Sequence, residues 1–181
     1  MSVPLETERL VLRLPRLEDA DAAAEHLTDP VAMRFIGVGG APVPPDACAD
    51  VVQKWLDRWQ ANGFGHFAVE RKADGRFLGR TGLLVWDRAG TWEPSDLVRA
   101  EEPEIELGWT LAREHWGNGY ATEAALAIRA WAYDDLALDR LISIIHPDNA
   151  ASQRVAQRLG AVPGETIETT HGPAVVWVHA R

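Results

Sequence analysis

The run Glu104-Ile105-Glu106-Leu107-Gly108-Trp109-Thr110-Leu111, continued by Trp116-Gly117-Asn118-Gly119-Tyr120-Ala121-Thr122-Glu123-Ala124, reads as a strand entering a glycine-bearing turn that opens a helix. Such a turn leaves backbone N–H groups unpaired at the positive end of the helix dipole, which suits it to an anion. Glu104 and Glu106 lie two apart and so share one face of the strand. A phosphate-binding turn beside a strand carboxylate points to a phosphorylated cofactor and a proton acceptor in one cleft.

Upstream, Arg9 to Leu14 alternates polar and apolar residues as a half-buried strand does, and Pro15 ends it. A helix is expected over Leu17 to Leu27, and Asp29-Pro30 begins a second, short one. Gly37 to Pro45 is loop. From Asp46, taken as an N-cap, Val51, Val52, Trp55, Leu56 and Trp59 recur at helical spacing up to Asn62-Gly63. Lys72-Ala73-Asp74-Gly75 separates two strands, Phe64 to Arg71 and Arg76 to Trp86, as a hairpin turn. Asp87 to Pro103 is a long excursion.

Downstream come a helix from Gly119 to Tyr133, an apolar strand from Arg140 to Ile145 and a helix from Asn149 to Leu159, stopped at Gly160. Strands over Gly164 to Thr169 and Ala174 to Ala180 close the chain. The order β-α-α-β-β-β-α-β-α-β-β implies one α/β domain spanning residues 1–181, with a mixed sheet.

Composition narrows the class. Hydrophobic residues make up 46% of the 181 and charged residues 25%, so the chain can bury a core and disorder is not expected. No apolar run reaches the roughly 20 residues of a membrane span. The start, Met1-Ser2-Val3-Pro4-Leu5-Glu6, lacks the basic and apolar parts of a signal peptide, so a cytoplasmic protein is expected. Cys48 is the only cysteine; acidic neighbours Asp46 and Asp50 disfavour a thiolate, so it reads as a buried helix residue. A net charge of −9 without a basic run excludes nucleic acid as partner and favours cationic ones. His115 and His146 stand apart and no His-x-x-x-His pair exists, so no metal is expected.

A P-loop would place Lys and Ser/Thr after the second glycine, where Tyr120-Ala121 stands. A dinucleotide fingerprint Gly117-x-Gly119-x-x-Thr122 lacks its third glycine, and few strands remain after it for a doubly wound sheet. Trp116-x-x-Gly119-x-Ala121 instead resembles the acyl-CoA motif of the GNAT acetyltransferases, Gln/Arg-x-x-Gly-x-Gly/Ala, departing from it at Trp116. Trp116 followed by Gly-Tyr-Ala-Thr-Glu-Ala is similar to the branch that acetylates ribosomal-protein N-termini. Glu6 to Arg13 resembles that branch's opening strand, Asp29 to Ile36 its second helix, and Asn149-Ala150-Ala151-Ser152 with Arg158-Leu159-Gly160 its last core motif. The resemblance implies a GNAT-like α/β (α+β) domain with a mostly antiparallel central sheet flanked by helices. It implies acetyl transfer from acetyl-CoA to a protein N-terminal α-amine or a small amine, by a monomer or homodimer.

Direct transfer needs a base for the amine, support for the oxyanion and a proton for the thiolate. Glu106, aligned with the glutamate before Gly-Tyr/Trp in similar proteins, is the candidate base, with Glu104 the alternative. The tyrosine acid of many family members falls at Ala156, and Ser152 is the hydrogen-bond donor the branch offers in its place. For the cofactor, the backbone of Gly117, Asn118, Gly119, Tyr120 and Ala121 is expected to hold the pyrophosphate, with Trp116 and Thr122 at the ends of the motif. The resemblance further assigns main-chain groups of Trp109 and Leu111, and Asn149, to the pantetheine arm. Trp55, Trp59 and Trp131 are expected in the core, with Trp86 and Trp92 as an aromatic wall. The acceptor pocket is expected from two variable segments, Ala32 to Pro45 and Asp87 to Pro103, the acidic second one bordering the entrance and steering a cationic amine. A non-catalytic acyl-CoA-binding regulatory module is the rival reading.

Overall fold

The computed structural model describes residues 3–181, so Met1 and Ser2 of the opening segment lie outside the described residues. The strands are β1 (Leu5–Glu6), β2 (Leu10–Arg13), β3 (His66–Arg71), β4 (Arg76–Asp87), β5 (Glu93–Ser95), β6 (Pro103–Leu111), β7 (Leu141–Ile145), β8 (Val162–Thr169) and β9 (Gly172–His179). The helices are α1 (Ala20–Leu27), α2 (Pro30–Met33), α3 (Cys48–Asn62), α4 (Tyr120–Asp134) and α5 (Ala150–Arg158). One sheet runs in the order β1-β2-β3-β4-β6-β7-β9-β8, with β5 added to the end of β4. Its pairs are antiparallel except β6 with β7. The mixed, mostly antiparallel α/β architecture is the one expected.

The main core joins Leu10 and Leu12 of β2, Phe67 of β3, Leu83 and Val85 of β4 and Leu107 of β6 to Ala124, Ile128 and Trp131 of α4. Alternation explains this set, because residues two apart along each strand face the same helix layer. Trp59 and Trp131 meet Phe67 edge to face at centroid distances of 4.9 and 5.3 Å. A second cluster packs α1 and α3, through Ala23, Leu27, Val52 and Trp55, on Ala68 and Phe77. Cys48 is buried there, and burial followed by the charge of Asp46 raises its thiol pKa, consistent with an inert thiol.

Three expectations need correction. The opening strand is two short ones, because the Thr7 hydroxyl accepts the Leu10 amide at 2.9 Å and folds the chain between them. Asp46 does not cap α3: it lies inside a 3-10 turn begun by Pro45, and no side chain caps that helix. The 87–103 excursion is not an open loop. Asp87 gathers the amides of Ala89, Glu101 and Glu102 at 2.9–3.0 Å, β5 folds back on β4, and the Trp92 carbonyl accepts Thr170 N–H at 2.9 Å.

Four histidines are buried, His26, His66, His115 and His179. His26 has no hydrogen-bond partner on either ring nitrogen and stacks between Trp55 and Phe77, each 6.2 Å away. Burial, with a smaller contribution from Arg80, depresses its pKa to about 3; burial likewise takes His179 to about 4 and His66 well below 6.5. Such groups stay neutral in the fold, whereas the unfolded chain binds protons near 6.5. Their contribution to stability is complete above pH 6.5 and is lost as pH falls toward the folded values. His26→Leu should therefore flatten the acid limb of the stability curve by up to about 1.4 kcal/mol per pH unit between pH 6 and 4. Denaturant titrations of both proteins at several pH values measure this; parallel curves would mean that His26 is not buried as the neutral ring.

Candidate active site

The glycine-bearing turn has the expected form. Gly119 sits at the N-cap of α4 with φ +80° and ψ 0°, a left-handed conformation that residues with a Cβ rarely adopt. The amides of Gly117, Asn118, Gly119, Tyr120 and Ala121 donate to no backbone carbonyl among the described residues. They therefore form a nest of donors at the helix dipole's positive end. The Asn118 side chain shapes the turn by donating to the carbonyls of His115 and Trp116, both at 3.1 Å. Thr122 follows in the first helical turn with its hydroxyl buried and unpartnered.

Residues far away in sequence brace this turn. Arg9 donates to the Asn118 carbonyl at 3.1 Å, pairs with Glu123 at 2.6 Å and lies 4.6 Å from the centre of the Tyr120 ring. Glu123 also accepts the Thr7 hydroxyl at 2.5 Å and the Arg9 amide at 2.9 Å. Burial would raise its pKa, but these donors outweigh it and hold the carboxyl below its usual value. An ionised Glu123 near the start of α4 also suits the dipole.

The strand preceding the turn opens the cleft. The Ala112 amide donates to Leu78 at 2.9 Å, and the β4–β6 register then turns the main-chain groups of Thr110, Gly108 and Glu106 toward β4. Those of Leu111, Trp109 and Leu107 face the other edge. There β7 pairs at a single bridge, Glu106 opposite Ile142, and the strands part. A narrow cavity of about 60 Å³ occupies the gap, lined by Trp109, Ser143, Asn149 and Ser152 among others. The Ser143 hydroxyl donates to the Leu107 carbonyl at 2.6 Å, and the Trp116 indole donates to that of Leu111 at 2.8 Å.

Glu106 stands where the strands part. Its carboxylate accepts the Trp86 indole N–H at 2.6 Å and an amide from Ile144. Burial raises its pKa above the usual glutamate value against the opposing effects of Trp86, Arg80, Ile144 and Arg58. Gly108 lies beside this arrangement, a Cβ built there meeting Glu106 Oε1 at 3.5 Å and Arg80 Nη1 at 3.9 Å, both ordinary contacts. A second cavity of about 380 Å³ opens on the other side of Glu106, between Trp86, His171, Arg80 and the Arg34–Gly40 segment. Glu106 lines both cavities.

The structure brings Glu106, Trp109, Asn149 and Ser152 together around the narrow cavity. Asn149 accepts the Ser152 amide at 3.1 Å, capping α5, while its own amide nitrogen has no partner among the described residues. Ala156 is buried in a small cluster with Ile145 and Trp177. Glu104 lies outside both cavities, paired with Arg140 at 3.1 Å. Trp116 has its indole committed to Leu111 and its ring half-exposed, so it ties the turn to the end of β6. Trp86 does line the larger cavity, but Trp92 packs beneath β8 and β9 instead. The charged side chains of the 87–103 excursion line neither cavity, so their influence on an acceptor there is by long-range attraction and not by contact. One grouping with metal-ligand spacing, Glu25, Glu114 and His115, occurs among the described residues. Arg76 bonds both of its carboxylates, placing a cation where a metal would sit.

The wall made by Phe35, Ile36, Gly37, Gly39 and Gly40 falls within the Ala32–Pro45 loop expected to shape the acceptor pocket, whereas sequence reasoning missed Arg80, Trp86 as a partner of Glu106, and Ser143. The antiparallel register of β4 brings Arg80 and Trp86 to Glu106 and the parallel bridge to β7 brings Ser143, and no spacing along the chain signals either.

Comparison with known proteins agrees with this geometry. Residues 9–162 match the model of the acetyltransferase (GNAT) domain. The uncharacterized N-acetyltransferase p20 of Bacillus licheniformis is 28% identical over 156 residues, covering 86% of this chain and 80% of its own. The crystal structure of an acetyltransferase from Agrobacterium tumefaciens str. C58 superposes with a TM-score of 0.77 at 28% identity, covering 100% of this chain and 96% of that one. The ribosomal-protein-S5-alanine acetyltransferase of Vibrio fischeri shares the fold at 16% identity, with a TM-score of 0.69 and coverage of 98% and 96%. The chain belongs to the GNAT acetyltransferase family, whose members use an acyl-CoA co-substrate.

Gly119→Val tests the turn. Its Cβ would approach the Arg9 guanidinium at 3.5 Å and its methyls would crowd the amide nest. CoA affinity should fall at least tenfold, about 1.4 kcal/mol. Calorimetry on the folded variant checks this, and unchanged affinity would remove the turn from the cofactor site.

Proposed function

We propose that this protein transfers an acetyl group from acetyl-CoA directly to a primary amine, with Glu106 accepting the amine's proton. The position of Glu106 carries the reading: one carboxylate lines both the narrow cleft beside Asn149 and Ser152 and the larger cavity beyond it. The pyrophosphate lies on the amides of Gly117 to Ala121, and the pantetheine arm extends along the open edge of β6 toward Asn149. The acceptor enters from the larger cavity. Its nitrogen bonds to the thioester carbonyl carbon, the C–S bond breaks, and the amine proton passes to Glu106, directly or through a water. The thiolate leaves accepting a hydrogen bond from Ser152, whose hydroxyl has no protein partner among the described residues, and the proton held by Glu106 returns through water so that CoA–SH is released. The acceptor is a protein N-terminal α-amine or a small amine, and the setting is cytoplasmic.

Burial suits Glu106 to this task, because a carboxylate with a raised pKa is a stronger base. The sign fixes the pH profile. Protonated Glu106 cannot accept a proton, so kcat/KM should fall as pH drops through a value above the ordinary glutamate pKa. Trp86→Phe removes a donor that holds this value down and should move the acid limb upward in pH.

Glu106→Gln should lower kcat by roughly 10²–10⁴ with CoA affinity nearly intact. Steady-state kinetics alongside CoA titrations provide the check. A Glu106→Gln protein with wild-type kcat, and a Glu104→Gln protein without it, would transfer the base to Glu104.

A further inference from the structure

Charge in the acceptor cavity runs opposite to that of the whole molecule. Against a net charge of −9, the lining holds one carboxylate, Glu106, and two guanidiniums, Arg34 and Arg80. Neither arginine has a carboxylate within ion-pair distance among the described residues. Arg9, Arg13 and Arg140, by contrast, each have one at 2.6–3.1 Å. The Arg80 guanidinium spends one N–H on the His66 ring nitrogen at 2.7 Å and makes no other side-chain hydrogen bond among the described residues. Arg34 lies at the rim, its guanidinium 5.1 Å from the Phe35 ring centre. Arg58 of α3 adds a third charge near enough to be felt at Glu106, His66 and His171.

A half-buried guanidinium with unused donors and no carboxylate in ion-pair contact is costly to maintain. Arg80 illustrates that cost: burial lowers its pKa to about 10, against the attraction of Glu106. It nevertheless remains charged at neutral pH. A guanidinium presents a planar fork suited to carboxylate or phosphate oxygens.

We infer that the acceptor is an amine bearing an anionic group, held by Arg80 and Arg34 while its nitrogen reaches Glu106. The inference rests on Glu106 receiving the acceptor in this cavity. The anion takes no part in the bond exchange and serves to bind and orient the acceptor. Two sources supply the same chemistry: a free amino acid, and a peptide N-terminus with an acidic first side chain.

Matched acceptors with acetyl-CoA test the inference and separate the sources. β-Alanine against β-alaninamide probes a free amino acid; aspartyl-alanine amide against asparaginyl-alanine amide probes a peptide. In one pair or the other, the charged member should have at least tenfold higher kcat/KM. Arg34→Gln and Arg80→Gln should each raise its KM and shrink that ratio toward one, and Arg34→Gln, which touches only the larger cavity, should leave KM for acetyl-CoA unchanged. Arg80→Lys should restore part of the preference. Should Arg80→Gln fail to fold, Arg34→Gln at the exposed rim makes the same test. Binding of each pair to Glu106→Gln in the presence of CoA, by calorimetry, separates the two claims. A preference for the charged member in binding supports the anion site whether or not Glu106 is the base. Equal affinities and equal rates for charged and neutral members of both pairs overturn it, as does a preference that survives both arginine substitutions.

Discussion

The parting of β6 and β7 is the constraint on which the site depends. Two adjacent parallel strands would normally satisfy each other's main-chain groups along their length. Here they meet at one bridge, Glu106 opposite Ile142, and then separate. That leaves an edge of β6 inside the molecule with groups to satisfy, which is tolerable only where something else takes them. Ser143 takes the carbonyl of Leu107 and Trp116 that of Leu111. Around Trp109 the edge is available to an extended ligand, as a missing strand would use it.

The same parting positions the chemistry. Leaving the bridge, β6 runs toward the amide nest at the start of α4, so one continuous element connects carboxylate and anion site. On the β7 side, α5 begins just past the strand and brings Asn149 and Ser152 to the cleft. Arg9 and Glu123 hold the nest against the opening strands, so the turn is fixed from outside the motif that defines it. Glu106 is in turn fixed by Trp86 from the neighbouring strand and by an amide of β7. Rigid elements on every side keep a partly desolvated carboxylate in place, as a base with a raised pKa requires.

Local signals in the sequence carried much of this. Gly119 needs a left-handed backbone, and strand parity puts Glu104 and Glu106 on one face, so turn and carboxylates were legible. The preference for Glu106 over Glu104 came from the resemblance, and what distinguishes the two in the fold, Arg140 pairing with Glu104 and Trp86 reaching Glu106, depends on contacts no local pattern reveals. Arg80 was invisible for the same reason: it lies 26 positions from Glu106 in a strand whose register no local pattern reveals. Net charge says little about the pocket. Asp87 and Glu102 satisfy the excursion's own backbone and an ion pair, while the larger cavity holds Arg34 and Arg80 without a carboxylate in ion-pair contact. A whole-molecule charge describes the surface, and the sign of a pocket is set by the few side chains that line it.

A crystal structure of the CoA complex tests the central claim most directly. The account predicts pyrophosphate oxygens on the amides of Gly117 to Ala121, pantetheine lying along β6 at Trp109 in the gap toward β7, and sulfur between Ser152 and Glu106. A cofactor seated on another surface, or a gap closed by further pairing of β6 with β7, would contradict it.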